Sequence, residues 1–118
     1  MKVIVTGGAG FIGSNVVDKA LKKGWDVKII DNLSTGFKEN LNPNCEFIHA
    51  DICDYDSIEK HFSGVDIVFH LAALPRVQPS IDDPLPYNKV NIEGTLSVLD
   101  ACKTHGVDKI VFSSSSSV

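Results

Sequence analysis

Arginine is almost missing from this chain: Arg76 is the only one among 11 basic residues, which face 15 acidic residues for a net charge of −4. A protein that grips nucleic acid through its phosphates needs a basic stripe, so that class of partner is excluded. Cysteine is scarce and odd in number. Cys45, Cys53 and Cys102 match neither a disulfide framework nor a paired metal-ligand spacing, so reduced thiols and no metal site are expected. No apolar run approaches the roughly 20 residues of a membrane span. After Met1-Lys2, the run Val3-Ile4-Val5 is too brief for a signal peptide. The expectation is a cytoplasmic chain with no membrane partner. What remains is ordinary: 118 residues, 43% hydrophobic and 22% charged, enough for one globular domain and too apolar for disorder.

Apolar runs alternate with helical patterns. Residues 2–6 (KVIVT) form a short β-branched run that stops at glycines and predicts a buried strand. Over residues 11–23, Ile12, Val16, Val17, Ala20 and Leu21 recur at helical spacing, and Gly24 closes that helix. Strands are predicted at 27–30, around Phe47-Ile48, at 67–71 and at 109–113. A short helix carries Ile58 and Phe62. Asp83-Pro84 supplies a cap and a first-turn proline for a helix running to about Thr104, with Val90, Gly94, Val98, Ala101 and Cys102 on one side. Nearly apolar strands separated by helices imply a parallel sheet covered on both faces. The fold class is therefore α/β, a doubly wound parallel sheet of order 3-2-1-4-5. Trp25 and Phe112 are expected in its core.

Four glycines fall at positions 7, 8, 10 and 13, between the first strand and the first helix. The loop fits G-x-x-G-x-x-G from Gly7 or G-x-G-x-x-G from Gly8. In either frame, positions without side chains let backbone N–H groups approach a pyrophosphate, and the last glycine lets the helix pack close to the sheet. The helix N-terminus adds a partial positive charge worth up to ~2 kcal/mol. Asp31, 18 residues past Gly13, closes the second strand. In a dinucleotide fold a carboxylate there accepts hydrogen bonds from the adenosine ribose and repels a 2′-phosphate, so NAD is expected over NADP; the alternative is an aspartate that only caps a turn with Asn32. Asp51-Ile52 ends the third strand, either flanking an adenine or serving as a loop acid beside a core isoleucine.

Taken in order, TGGAGFIG (residues 6–13), DNLSTG (31–36), HLAA (70–73), DPLPYNKVN (83–91), Gly94-Thr95-Leu96 and FSSSSSV (112–118) resemble the extended short-chain dehydrogenases/reductases of the NAD-dependent epimerase/dehydratase type. Within that group they are most similar to the nucleotide-sugar 4-epimerases. The resemblance implies a Rossmann-type domain over residues 1–118 that holds NAD. It also implies a UDP-glucose/UDP-galactose or N-acetyl analogue substrate, whose ring carbon gives up hydride while a tyrosine removes the hydroxyl proton. The keto sugar then turns over and takes the hydride back on its other face. By position, Gly7, Gly10, Phe11, Ile12 and Gly13 line the pyrophosphate loop, and Asp31, Asn32, Ser34, Thr35 and Gly36 surround the adenosine. Asp51 and Ile52 sit at the adenine. Leu71, Ala72, Ala73 and Leu74 run beneath the cofactor, Asn91 supports the nicotinamide end, and Ser113 lies near it. Ser115 matches the catalytic serine. His70 is expected to be a satisfied core histidine rather than a base.

Two departures stand out. Pro75-Arg76 replace a lysine that often follows the HLAA-type segment in hexose epimerases. The family's Tyr-x-x-x-Lys pair, which shares one helix face so that the lysine lowers the tyrosine pKa, is absent. Tyr55 and Tyr87 are followed four residues on by Glu59 and Asn91. The resemblance therefore implies an N-terminal fragment that is inactive alone and prone to form a homodimer or larger assembly through an exposed fifth strand. Rival readings are a 4,6-dehydratase or decarboxylase and a non-catalytic dinucleotide-binding module. Ser116-Ser117 stand where dehydratases carry an Asp-Glu pair, which favours the epimerase.

Overall fold

The computed structural model describes residues 1–8, 11–32, 39, 42–71 and 92–112. The described elements run in the order β1 (Lys2–Thr6), α1 (Phe11–Lys22), β2 (Asp26–Asp31), β3 (Glu46–His49), α2 (Tyr55–Ile58) with a 3-10 turn (Glu59–Phe62), β4 (Ile67–His70), α3 (Gly94–His105) and β5 (Lys109–Phe112). All pairings are parallel and the order is β3-β2-β1-β4-β5, as the alternation of patterns predicts. The expected start of the last helix at Asp83-Pro84 lies outside the described residues.

Side chains alternate along each strand, and that period of two sorts the core onto the two faces of the sheet. Val3, Val5, Val27 and Ile29 face α1 and pack with Val17 and Ala20. Ile4, Ile30 and Val68 face the other way, into Ile58, Phe62, Val98, Ala101 and Cys102 of α2, the 3-10 turn and α3. Each fully buried Val or Ile is worth about 1.5–3 kcal/mol, so the two clusters together hold the sheet between its helices. Polar ties fasten the second layer: His105 Nε2 lies 2.6 Å from Glu59 Oε2, and Tyr55 Oη lies 3.0 Å from Thr104 Oγ1. Gly106 ends α3 at φ +68°, and Val107 N donates to Cys102 O at 2.9 Å. The cysteines are free thiols, and burial pushes the Cys102 thiol up to about 11. Among the described residues no helix is long and apolar enough to cross a membrane.

Three expectations about the core need correction. Ile12, placed on the apolar face of α1, is 61% exposed, because the first turn of that helix stands at the strand ends and not over the sheet. Phe112 is 50% exposed, since β5 is the outer strand among the described residues and no element covers its far side. Trp25 is only partly buried at the margin of the α1 cluster, with Lys23 Nζ 5.8 Å from its ring centroid.

Candidate functional site

Parallel registers align the C-terminal ends of the strands: Thr6 pairs with Ile30 and His70, Asp31 with His49, and His70 with Phe112. In a doubly wound sheet the crevice for a ligand opens here, where successive connections leave in opposite directions. In this order that point lies between β1 and β4.

Gly7 leaves β1 with φ +77°, a left-handed conformation that a side chain disfavours, and its N–H donates to Ile30 O at 2.8 Å. Two close approaches follow. A Cβ on Gly8 would stand 2.5 Å from Ile29 Cγ2. A Cβ on Gly13 would overlap the Gly7 carbonyl oxygen and lie 2.9 Å from its carbon. The first turn of α1 therefore rests directly on the glycine backbone. That turn carries no acidic residue, while Lys19 and Lys22 occupy the last turn, so the helix dipole is left uncancelled at its N-terminus.

Asp31, 8% exposed, closes β2 one residue past the strand position that holds Gly7. Its backbone oxygen accepts from Ala50 N at 3.3 Å. Asn32 follows in an exposed position, and its carbonyl lies 3.2 Å from His49 Nε2; a carbonyl only accepts, so that nitrogen carries the proton. Past β3, Asp51 Oδ1 accepts from Cys53 N at 2.9 Å, bending the chain toward α2. Ile52 is 4% exposed and packs in the core beneath α3, where a Cβ on Gly94 would stand 2.5 Å from Ile52 Cδ1.

At the end of β4 the buried His70 is satisfied at both nitrogens: Nδ1 lies 2.8 Å from Thr6 Oγ1, and Nε2 lies 3.0 Å from Thr95 Oγ1. Burial lowers its pKa to about 4, so the imidazole is neutral near pH 7 and too weak a base for proton abstraction. In the unfolded chain the same group titrates near 6.5, so between these values the unfolded state binds the proton and the folded state does not. Its contribution to stability is complete above pH 6.5 and lost as pH falls toward 4, up to roughly 3 kcal/mol. Thermal melts from pH 7 to 4.5 should show this decline, and His70→Gln should flatten it. His61, lowered by partial burial and by Lys28 and Lys60, adds to the slope in the same direction and would remain in the variant.

The structure thus brings Gly7, Ile12, Gly13, Asp31, Asn32 and Leu71 to one end of the sheet, with Phe11 opening α1. Asp51 and Ile52 stand beyond β3, on the side of the sheet covered by α3. Gly10, Ser34, Thr35, Gly36, Ala72, Ala73, Leu74, Asn91, Ser113 and Ser115 lie outside the described residues, as does Arg76. Sequence reasoning missed Thr6 and Thr95. The available signal was a lone polar residue closing the apolar run of β1.

Comparison with known proteins agrees with this geometry. Residues 3–118 match the model of the NAD dependent epimerase/dehydratase family. A curated relative described as a putative UDP-glucose 4-epimerase of Methanocaldococcus jannaschii is 47% identical over 114 residues, covering 96% of this chain. Among solved structures, the UDP-glucose 4-epimerase of Thermotoga maritima with UDP-glucose superimposes with a TM-score of 0.94 at 46% identity over 97% of this chain. The Thermus thermophilus UDP-glucose 4-epimerase in complex with NAD gives 0.89 at 41% identity over 95%. The chain spans 37%, 38% and 37% of the lengths of these three proteins. Family model, parallel sheet order and glycine loop coincide, and the chain belongs to the NAD-dependent epimerase/dehydratase family.

Proposed function

We propose that this chain is the NAD-holding portion of a nucleotide-sugar 4-epimerase acting on UDP-glucose/UDP-galactose or an N-acetyl analogue. The observation that carries this reading is the cradle at the first crossover. Glycines stand where a Cβ at position 13 would strike the Gly7 carbonyl, the N-terminus of α1, with no acidic residue in its first turn, lies at the same point, and Asp31 lies one strand over. This donor set fits a dinucleotide: amides for the diphosphate, a carboxylate for the ribose hydroxyls. Bound there, the nicotinamide supplies a reversible hydride acceptor. The chain's own residues then orient and enclose. Gly7 to Gly13 hold the diphosphate, Asp31, Asn32, Ser34, Thr35 and Gly36 hold the adenosine, and Asp51 walls the adenine side with the core residue Ile52 behind it. Leu71 to Leu74 floor the crevice, and Asn91 and Ser113 support the nicotinamide end. Ser115 hydrogen-bonds the reacting hydroxyl. The similarity to an epimerase with UDP-glucose and to one with NAD supports the reading.

The 118-residue chain contains no Tyr-x-x-x-Lys pair to move the hydroxyl proton. It should bind NAD measurably but weakly by calorimetry, and turn over neither UDP-glucose nor UDP-galactose. Absence of any NAD binding would overturn the cofactor reading; turnover by a contaminant-free preparation would overturn the assignment of the missing base. A second copy of the chain is the proposed partner. Ile92, two residues before α3, and Leu96 and Leu99 on it are exposed apolar residues at four- and three-residue spacing, and Val111 and Phe112 are exposed on β5. Light scattering should report dimers or larger species that Leu96→Glu shifts toward monomer; a monomer at high concentration would contradict this.

A further inference from the structure

We infer that His70 is a positioning residue for the crevice, a ring pinned between Thr6 and Thr95 that fixes where the chain leaves β4 and so where the floor beneath the cofactor begins. This rests on the cofactor reading above and deepens it.

Three segments converge on the one imidazole. Thr6 is the last residue of β1 and adjoins Gly7 of the glycine loop. Its hydroxyl lies 2.8 Å from His70 Nδ1 and also accepts from Leu71 N at 3.0 Å. The same Leu71 amide lies 3.1 Å from Thr6 O, so the first peptide past β4 is held twice by a single residue. On the opposite side of the ring, Nε2 reaches Thr95 Oγ1 at 3.0 Å, in the first turn of α3. Thr95 follows Gly94, whose lack of a Cβ lets α3 settle onto Ile52. Phe112 meets the ring edge-on, centroids 5.4 Å apart at 88°, and limits its rotation.

A residue needed only to fill this space could be apolar, as Val68 two residues earlier on the same strand is. A ring with two polar nitrogens is instead satisfied in one orientation alone, and that orientation is dictated by β1 and α3 together. Buried networks of this kind specify geometry more than they add stability. Here the geometry specified is the exit of Leu71 relative to the glycine loop.

The test uses the 118-residue chain and NAD itself. Thr6→Val and Thr95→Val keep shape while removing one hydroxyl each. His70→Phe removes both nitrogens, and His70→Asn restores a polar atom near the place of Nδ1. Dissociation constants are measured by calorimetry at temperatures where circular dichroism shows each variant folded. Thr6→Val and His70→Phe should each raise Kd about tenfold, and the double variant by no more than either alone, because both break one network. His70→Asn should recover most of the affinity. Should His70→Phe fail to fold, Thr6→Val and Thr95→Val carry the comparison. Melting temperatures that fall while Kd stays within twofold of the parent chain would overturn the inference and leave the cofactor reading standing. No binding by the parent chain would overturn both.

Discussion

Gly13→Ala should weaken NAD binding by about a hundredfold or more and destabilise the chain by about 3 kcal/mol. The new methyl would enter the space of the Gly7 carbonyl oxygen and stand 3.0 Å from Gly8 Cα. Both obstacles are backbone, so no flexible side chain can swing aside. Gly7 cannot yield cheaply either, being tied to Ile30 O at 2.8 Å and already at φ +77°. The remaining response is to lift the first turn of α1 away from the loop, which withdraws from an anion the amides that would hold it. Each charge-assisted hydrogen bond lost costs about 1.5–3 kcal/mol, so two suffice for the predicted effect. Gly24→Ala is the control. It places a methyl at a left-handed position with nothing within 4 Å, so it should cost about 1–2 kcal/mol and leave Kd unchanged. Equal Kd values for Gly13→Ala and the parent chain would refute the cradle.

Cofactor choice carries the second large effect. A 2′-phosphate brought to within about 4 Å of the Asp31 carboxylate meets a repulsion of about 4 kcal/mol per unit charge at an effective dielectric of 20. Asp31 is largely buried, so solvent screens it poorly, and none of residues 31–36 is basic. The chain should therefore prefer NAD to NADP by about a thousandfold. Asp31→Asn should narrow that preference to about tenfold, lowering affinity for NAD through loss of charge-assisted bonds while raising that for NADP. Parallel titrations decide it, and equal affinities in the parent chain would sink the assignment of Asp31.

Much of this architecture was written locally. A β-branched run ending at glycines marked β1, a second apolar run closed by Asp31 marked β2, and the i, i+4 pair Ile58 and Phe62 marked the short helical segment that plugs one face. Strand order followed because parallel strands with helical crossovers have few alternatives. Burial at the edges was not local. Phe112 has the composition of core but sits on the outer strand, and Ile12 has helical periodicity but no sheet beneath it. Of the candidate site, the placement of the glycine loop and Asp31 at the strand ends was legible because strand, loop and helix follow one another directly in the chain. The Thr6–His70–Thr95 network was not, since its members are 64 and 25 residues apart and no periodicity connects them. The seat of Gly94 on Ile52 was hidden for the same reason.

The position of β1 at the middle of the sheet has a consequence for biosynthesis. Val3 pairs with Val27, 24 residues on, and also with Ile67, 64 residues on. As the polypeptide leaves the ribosome, one flank of β1 can zip to β2 early, while its other flank waits, with bare amides and carbonyls, for β4 to emerge. Closing so long a loop is slow, and the interval offers nascent chains an opportunity for wrong partners. That seam ends in the contact between Thr6 and His70, so the proposed crevice should be complete only once β4 has joined the sheet.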